Sequence, residues 1–214
     1  MIAVLIPTRS RPDGLRATLA SLQGATSYVG FDRTDPVPYE GVHGDEAIMF
    51  GDDPTSWKWN KLATLAMSHG AEILVIGSDD VVFETPDWAG KLRAKLAKWP
   101  DGIGCVGFAD GRSEDGTPHV AVTRKWVETL GFFVPPIVHH WGVDTWTVDV
   151  AKRVGRFEYA ADIMARHRTV KLTGQFDETH NRIRRGVWLE RDLGIIKIER
   201  YKDADAAALK AVML

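Results

Sequence analysis

Two strand-length apolar runs constrain this 214-residue chain more than any other feature: Ile2-Ala3-Val4-Leu5-Ile6 and Ile73-Leu74-Val75-Ile76. A strand with no polar face has nothing to give to water, so such runs belong in a parallel sheet covered by helices on both sides. Each run stops in polar sequence, the first at Pro7-Thr8-Arg9-Ser10-Arg11 and the second at Gly77-Ser78-Asp79-Asp80. Helical spacing follows. Leu15, Leu19 and Leu22 recur behind Pro12, with Ser10 or Asp13 as cap, up to Gly24. Leu62, Leu65 and Ala66 recur behind Ser56 up to Gly70, and Trp88, Leu92, Leu96 and Trp99 behind Thr85-Pro86 up to Pro100-Asp101-Gly102. The same signals predict strands at 28–32, 103–108 and 119–122, with short ones at 157–159 and 163–165. They also predict helices from Thr123 to Leu130, from Asp144 or Thr145 to Val154, and over 178–193. Asp35, Pro36 and Pro38 mark a loop. Strands alternating with helices predict an α/β fold on a mostly parallel central sheet flanked by helices.

Composition fits one such unit. Hydrophobic residues make up 44% and charged residues 26%, ordinary values for a globular chain, and with no repeat or linker in view a single domain over 1–214 is expected. No apolar run approaches the roughly 20 residues that cross a bilayer, and no basic segment precedes the first strand, so a cytoplasmic protein without membrane contact is expected. The lone Cys105 excludes an internal disulfide and leaves oxygen and imidazole donors for any metal, which favours hard cations. The net charge of −2 conceals an asymmetry: residues 151–202 carry thirteen Lys and Arg against seven Asp and Glu, a local +6 beside a body of −8. A basic segment of this kind meets a polyanion or a phosphate-bearing ligand, or is balanced through space by the acidic body. Eight tryptophans serve a core or stack on sugars and bases.

Ligands of open α/β sheets bind beyond the carboxyl ends of the strands, so the residues there are the first candidates. Arg9 and Arg11, at the entry to a helix, can receive phosphate oxygens. Asp32 and Asp35 follow the second strand. Asp79 and Asp80 follow the central one, where two adjacent carboxylates repel unless a cation sits between them; otherwise one caps a turn and the other is solvated. Asp52-Asp53 fits the latter description. Gly102, Gly104 and Gly107 spell G-x-G-x-x-G, but this one follows a helix and contains a strand, the reverse of a dinucleotide site. There is no Walker A loop, H-E-x-x-H or G-x-S-x-G, which removes the usual support for a dehydrogenase, P-loop ATPase, zincin or hydrolase.

With these residues in place, the stretch from 2 to 185 resembles family 2 type nucleotide-sugar glycosyltransferases of GT-A fold, in particular compact phage and bacterial members. I-A-V-L-I-P-T-R-S-R-P looks like the opening strand and nucleotide loop, with Pro7, Thr8, Arg9 and Arg11. Val29-Gly30-Phe31-Asp32 through Asp35-Pro36 looks like the strand whose aspartate meets base or ribose. Asn60-Lys61 resembles the N-K of the following helix, and Ser78-Asp79-Asp80 through Thr85-Pro86-Asp87-Trp88 a D-x-D motif running into T-P-x-W, with Ser78 at the first acidic position. His139-His140-Trp141-Gly142-Val143-Asp144 looks like the acceptor-side segment. The resemblance implies a GT-A (Rossmann-like) domain with a nucleotide-sugar half at about 1–110, an acceptor half at about 111–200 and a helical tail at about 178–214.

It further implies a sugar transfer from a nucleotide diphosphate donor, a UDP-sugar, to a hydroxyl, with Mn2+ or Mg2+ bridging the phosphates. Asp80 and His167 would hold the ion, with His139, His140 and His180 competing for the histidine's place. Pro7, Thr8, Arg9, Arg11, Asp32, Asp35, Asn60, Lys61, Ser78 and Asp79 would bind the donor. Asp144 would be the base of an inverting reaction, or a helix N-cap. Trp88, His140, Trp141, Arg166, Arg168 and Lys171 would meet acceptor or diphosphate. A hydroxymethylated base in phage DNA suits the basic segment and the tryptophans, which would place the protein in the host cytoplasm; a protein or glycan acceptor stays open. The rival readings are a sugar nucleotidyltransferase, whose glycine-rich loop is missing from 7–13, and a non-catalytic nucleic-acid-binding module with a degenerate donor pocket.

Overall fold

The structure, a computed structural model, describes residues 1–111, 118–168 and 188–213. Strand β1 (Ile2–Thr8) runs parallel to β2 (Thr26–Asp32) on one side and to β4 (Ile73–Ile76) on the other, and β3 (Glu46–Phe50) pairs parallel outside β2. Beyond β4 lie β7 (Val120–Thr123), β6 (Cys105–Ala109), β8 (Phe157–His167) and β5 (Val81–Phe83), giving the order β3-β2-β1-β4-β7-β6-β8-β5. Only β7 and β5 run against the rest. The carboxyl ends of β1, β2, β4, β6 and β8 therefore share one edge.

The apolar runs are explained by what covers each face. In β1, Ala3 and Leu5 join one core and Ile2, Val4 and Ile6 the other; in β4, Leu74 and Ile76 face the first and Ile73 and Val75 the second. The first core is filled by helices α2 (Thr55–Ser68), α4 (Arg124–Leu130), α5 (Val143–Arg153) and α7 (Glu199–Lys210), through Leu62, Trp126, Trp146 and Leu209. The second is filled by α1 (Pro12–Ala20) and α3 (Trp88–Leu96), through Leu15, Trp88 and Leu92. Helix α6 (Trp188–Ile195) precedes α7. No described helix is long and apolar enough to cross a membrane.

The α/β architecture expected from the sequence is present, and the differences are local. Strands β3 and β5 and helix α7 carried no signal: β3 is a largely exposed edge strand and β5 is three residues long. The two short strands expected at 157–159 and 163–165 are one strand, β8, bulged against β6 so that Phe108 pairs with Ala160 and Ala109 with Met164. Asp144 is not the N-cap of α5; Gly142 takes that place at φ 84° and Asp144 sits in the first turn. Ser10 and Asp13 do not cap α1, which starts behind Arg11. Of the helix expected over 178–193, residues 178–187 lie outside the described residues.

Candidate functional site

The shared strand edge gathers the carboxylates. Asp79 is buried, and its Oδ2 accepts from the Thr8 hydroxyl at 2.8 Å and the Arg9 N–H at 3.3 Å. Arg11 Nη1 then donates both to Asp79 Oδ1 at 3.0 Å and to Asp80 Oδ2 at 2.9 Å. The repulsion expected between the two aspartates is thus answered by a guanidinium. The Ser78 hydroxyl makes a short hydrogen bond to Asp80 Oδ1. Burial, with Asp80 adjacent, pushes the Asp79 carboxyl up to about 6. Burial works the same way on Asp80, but His167, Arg11 and Ser78 outweigh it and hold that carboxyl well below the usual range.

Helix α1 holds this loop from beneath. A Cβ on Gly14 would stand 2.4 Å from the Asp79 carbonyl oxygen, so only glycine allows this approach. Thr18 Oγ1 adds a bond to the Ser78 carbonyl at 3.3 Å.

Around the first strand's loop the expected donor residues are tied to one another. Arg9 Nη1 donates to Asp32 Oδ2 at 3.2 Å, and Lys58 Nζ makes a short contact with Asp32 Oδ1. Asp32 is buried with a cation on each oxygen, which anchors the loop. Asp35 accepts from the Ser10 N–H at 2.6 Å, the Ser10 hydroxyl at 3.0 Å and the Val37 N–H at 3.0 Å, and so is a turn staple. Ser10 sits at φ 57°. Tyr39, from the proline-rich loop, lays its phenol 3.0 Å from Thr8 Oγ1 and accepts from the Arg11 N–H at 3.2 Å. Pro7 lies within β1.

His167 arrives from the far side of the sheet. Antiparallel pairing sets Val81 opposite His167, and Nε2 of that imidazole stands 3.4 Å from Asp80 Oδ1. Behind it lies His119, buried at the start of β7, whose ring meets His167 edge-on at 4.8 Å between centroids. His119 Nδ1 is 3.2 Å from the Ile76 carbonyl, which requires the proton on Nδ1 and leaves the Nε2 lone pair buried with no hydrogen-bond partner among the described residues. Burial pushes the His119 imidazole down to about 3. The sequence offered only a histidine opening the strand expected at 119–122 as a clue to it.

The acceptor-side segment is fixed by α6. Asp192, fully buried, accepts from three successive backbone N–H groups, His139 at 3.0 Å, His140 at 2.8 Å and Trp141 at 3.0 Å. His140 Nδ1 lies 2.7 Å from Thr55 Oγ1. Asp144 follows one turn later and accepts from the Thr145 N–H at 2.8 Å. Burial raises its carboxyl above the ordinary value, and the His167 imidazole is close enough to act against that rise.

Several expected residues are elsewhere. Asn60 accepts from the Phe133 and Val134 N–H groups and donates to the Val134 carbonyl, stapling a distant loop. Lys61 lines a groove with Ile48, Phe50, Trp57 and Leu65, apart from the carboxylates. The α2 lysine that reaches the strand ends is Lys58, almost one turn earlier. Trp88 is core, stacked on Phe83 at 4.0 Å. Arg166 pairs with Glu84 at 2.6 Å on the opposite face of β8 from His167, and the Arg168 N–H donates to the Asp80 carbonyl at 2.8 Å while its side chain is exposed. Lys171 and His180 lie outside the described residues. Among the described residues, three cations of the basic segment are balanced through space: Arg153 meets Asp149, Glu199 and Asp203, Lys202 meets Asp149 and Glu199, and Arg156 meets Asp101. Of the described tryptophans, Trp59, Trp88, Trp99, Trp126 and Trp146 are buried.

Among the described residues no group of three or more His, Cys, Asp or Glu is assembled for a metal ion. Two donors nevertheless fit one. The 3.4 Å between Asp80 Oδ1 and His167 Nε2 is close to the spacing of adjacent ligands on an ion that binds each at roughly 2.1 Å. A hard cation held by one carboxylate and an imidazole completes its shell with water or other oxygen donors.

No family model matches the sequence. The uncharacterized protein y4gI of Sinorhizobium fredii is 34% identical over 130 residues, a match that covers 52% of this chain and 14% of that protein. The chain therefore spans about a seventh of the curated relative it matches. The mannosyltransferase PcManGT of Pyrobaculum calidifontis, solved with GDP-Man and Mn2+, superposes with a TM-score of 0.56 at 16% identity, covering 98% of this chain and 74% of that one. A Drosophila β-1,4-galactosyltransferase 7 mutant, solved with manganese, UDP-Gal and xylobiose, superposes with a TM-score of 0.53 at 13% identity, covering 86% and 79%. The likeness is one of fold, and it agrees with the strand order and the edge described above: the chain has the GT-A-like fold found in nucleotide-sugar glycosyltransferases.

Proposed function

We propose that the chain transfers a sugar from a nucleotide diphosphate donor to a hydroxyl acceptor with the help of a divalent cation. The observation that carries this reading is the contact of Asp80 with His167 at the strand edge, the same imidazole being close enough to Asp144 to act on its carboxyl. The fold neighbours solved with GDP-Man and UDP-Gal, both with manganese, support it.

Asp80 and His167 would hold the ion, which would supply positive charge to a diphosphate leaving group. Ser78 donates to Asp80 and so orients that carboxylate. Thr8 and the Arg9 N–H orient Asp79. Asp144 accepts the proton of the acceptor hydroxyl as its oxygen attacks the anomeric carbon from the face opposite the diphosphate, an inverting displacement. A carboxyl whose pKa is raised by burial is the stronger base for this step. The acceptor segment 139–141, which leads into α5 and Asp144, is held by Asp192.

The test is a panel of UDP-, GDP- and CDP-sugars, each with and without Mn2+, read by thermal shift and by release of nucleoside diphosphate. A Mn2+-dependent rise in Tm and diphosphate release with one donor, both lost in Asp80→Asn with the fold retained, bear the reading out. Pyrophosphate release from a nucleoside triphosphate and a sugar instead marks a nucleotidyltransferase, and no response to any nucleotide marks a non-catalytic module.

A further inference from the structure

We propose that Arg11 is the resident counterion of the Asp79–Asp80 pair, and that Asp80 accepts a divalent cation only when this guanidinium lets go. The inference rests on the metal-assisted reading above and adds the residue that decides when the ion is taken up.

All four carboxylate oxygens are already engaged. Asp79 has both oxygens engaged, Oδ2 by Thr8 and the Arg9 N–H and Oδ1 by Arg11. Asp80 has Oδ2 engaged by Arg11 and Oδ1 by Ser78. The bridge is poorly hydrated: the side chains of Arg11, Asp79 and Asp80 are 14%, 5% and 12% exposed. Two adjacent carboxylates in such a place need a cation, because burial and mutual repulsion both disfavour the doubly charged state. A +2 ion between Asp80 Oδ1 and His167 would stand against the +1 guanidinium on Oδ2 of the same carboxylate, and the two like charges repel, so they compete for Asp80.

The backbone of Arg11 is held independently of its side chain. Its N–H donates to the Tyr39 oxygen at 3.2 Å, and its carbonyl accepts from the Leu15 N–H at 2.9 Å. Rotation of the side chain away from the two carboxylates therefore leaves this backbone in place. Once free, the guanidinium lies at the strand edge where a diphosphate, with paired oxygens that suit its fork, would take it. A nucleoside diphosphate that captures Arg11 thereby clears Asp80 for the ion, and the ion in turn favours the diphosphate. Their binding is coupled in both directions.

The experiment is a titration of the intact protein with Mn2+, read from the electron paramagnetic resonance signal of the free ion, with and without UDP. Wild type, Arg11→Met, Arg11→Lys and Asp80→Asn are compared after circular dichroism confirms their fold. Arg11→Met is expected to bind Mn2+ alone more than about tenfold more tightly than wild type, the scale of one charge-assisted hydrogen bond. Arg11→Lys keeps the positive charge and is expected to stay within a few-fold of wild type. The tightening that UDP confers on Mn2+ is expected to shrink in Arg11→Met. Equal Mn2+ affinity of wild type and Arg11→Met overturns the proposal, as does an equal gain in Arg11→Met and Arg11→Lys. Unchanged affinity in Asp80→Asn, or no Mn2+ binding by any of the four proteins, overturns the metal-assisted reading with it.

Discussion

Nε2 of His167 lies 3.4 Å from Oδ1 of Asp80, although 87 residues separate them in the chain. The cause is strand register. Val81 is the pairing partner of His167, so the residue just before Val81 is delivered to the imidazole. The Arg168 N–H fastens the same junction by donating to the Asp80 carbonyl. Three-residue β5 is therefore a positioning element as much as a sheet edge.

Substituting His167 by Ala is expected to weaken Mn2+ binding in the presence of UDP by at least about tenfold, the loss typical when a metal site's support is removed. The fold should persist, because the side chain is partly exposed and β8 keeps its backbone pairing. Calorimetric titration of both proteins provides the check; undiminished affinity would remove His167 from the ion's ligands.

Asp144→Asn is expected to leave Mn2+ and UDP affinity unchanged and to slow transfer by about 10²–10⁴-fold, the span ascribed to a positioned general base. Donor affinity and single-turnover transfer, measured on the same preparation, separate the two effects. A parallel loss of donor binding would show that Asp144 serves the nucleotide side.

Gly14→Ala replaces a helix residue with the best helix former, a gain of less than about 1 kcal/mol. Its Cβ would, however, stand 2.4 Å from the Asp79 carbonyl oxygen, which belongs to a backbone with nowhere to go. The clash costs about 1–3 kcal/mol, so a net loss of stability is expected, with a fall in Tm of a few degrees. Weaker Mn2+ binding should accompany it, because the displaced residues include Asp79 and its neighbour Asp80.

Asp35 gives a pH signature. Burial works to raise its carboxyl, but the Val37 and Ser10 N–H groups and the Ser10 hydroxyl outweigh it, and the folded value lies below the ordinary 3.8. The unfolded chain thus takes up the proton first on acidification. The stabilisation is complete above the unfolded value near 3.8 and is lost as the pH falls through the folded one. Asp35→Asn should cost about 1 kcal/mol at neutral pH, and its urea midpoint should converge on that of wild type in acid. A constant difference between the two from neutral pH down to pH 2 would refute this.

The sequence by itself determined the scaffold and the place of the chemistry. Residues 2 to 6 and Ile73–Ile76 had to be strands covered on both faces, because their periodicity leaves no side for water. Once they are parallel neighbours, Thr8, Arg11, Asp79 and Asp80 must open on one edge. The partners at that edge were decided by tertiary structure alone. Arg11 and Asp32, expected to face the donor, are paired with protein charges, and of the α2 lysines Lys58 meets Asp32 while Lys61, almost one turn on, lines a separate groove. Trp88 went to the core, while His119 and Asp192, silent in the sequence, reached His167 and the 139–141 segment. Hydrophobic spacing is a local property that a few neighbours impose, whereas a charge finds its counterion through contacts between residues far apart in the chain. Only the folded packing of helices and strands establishes those contacts.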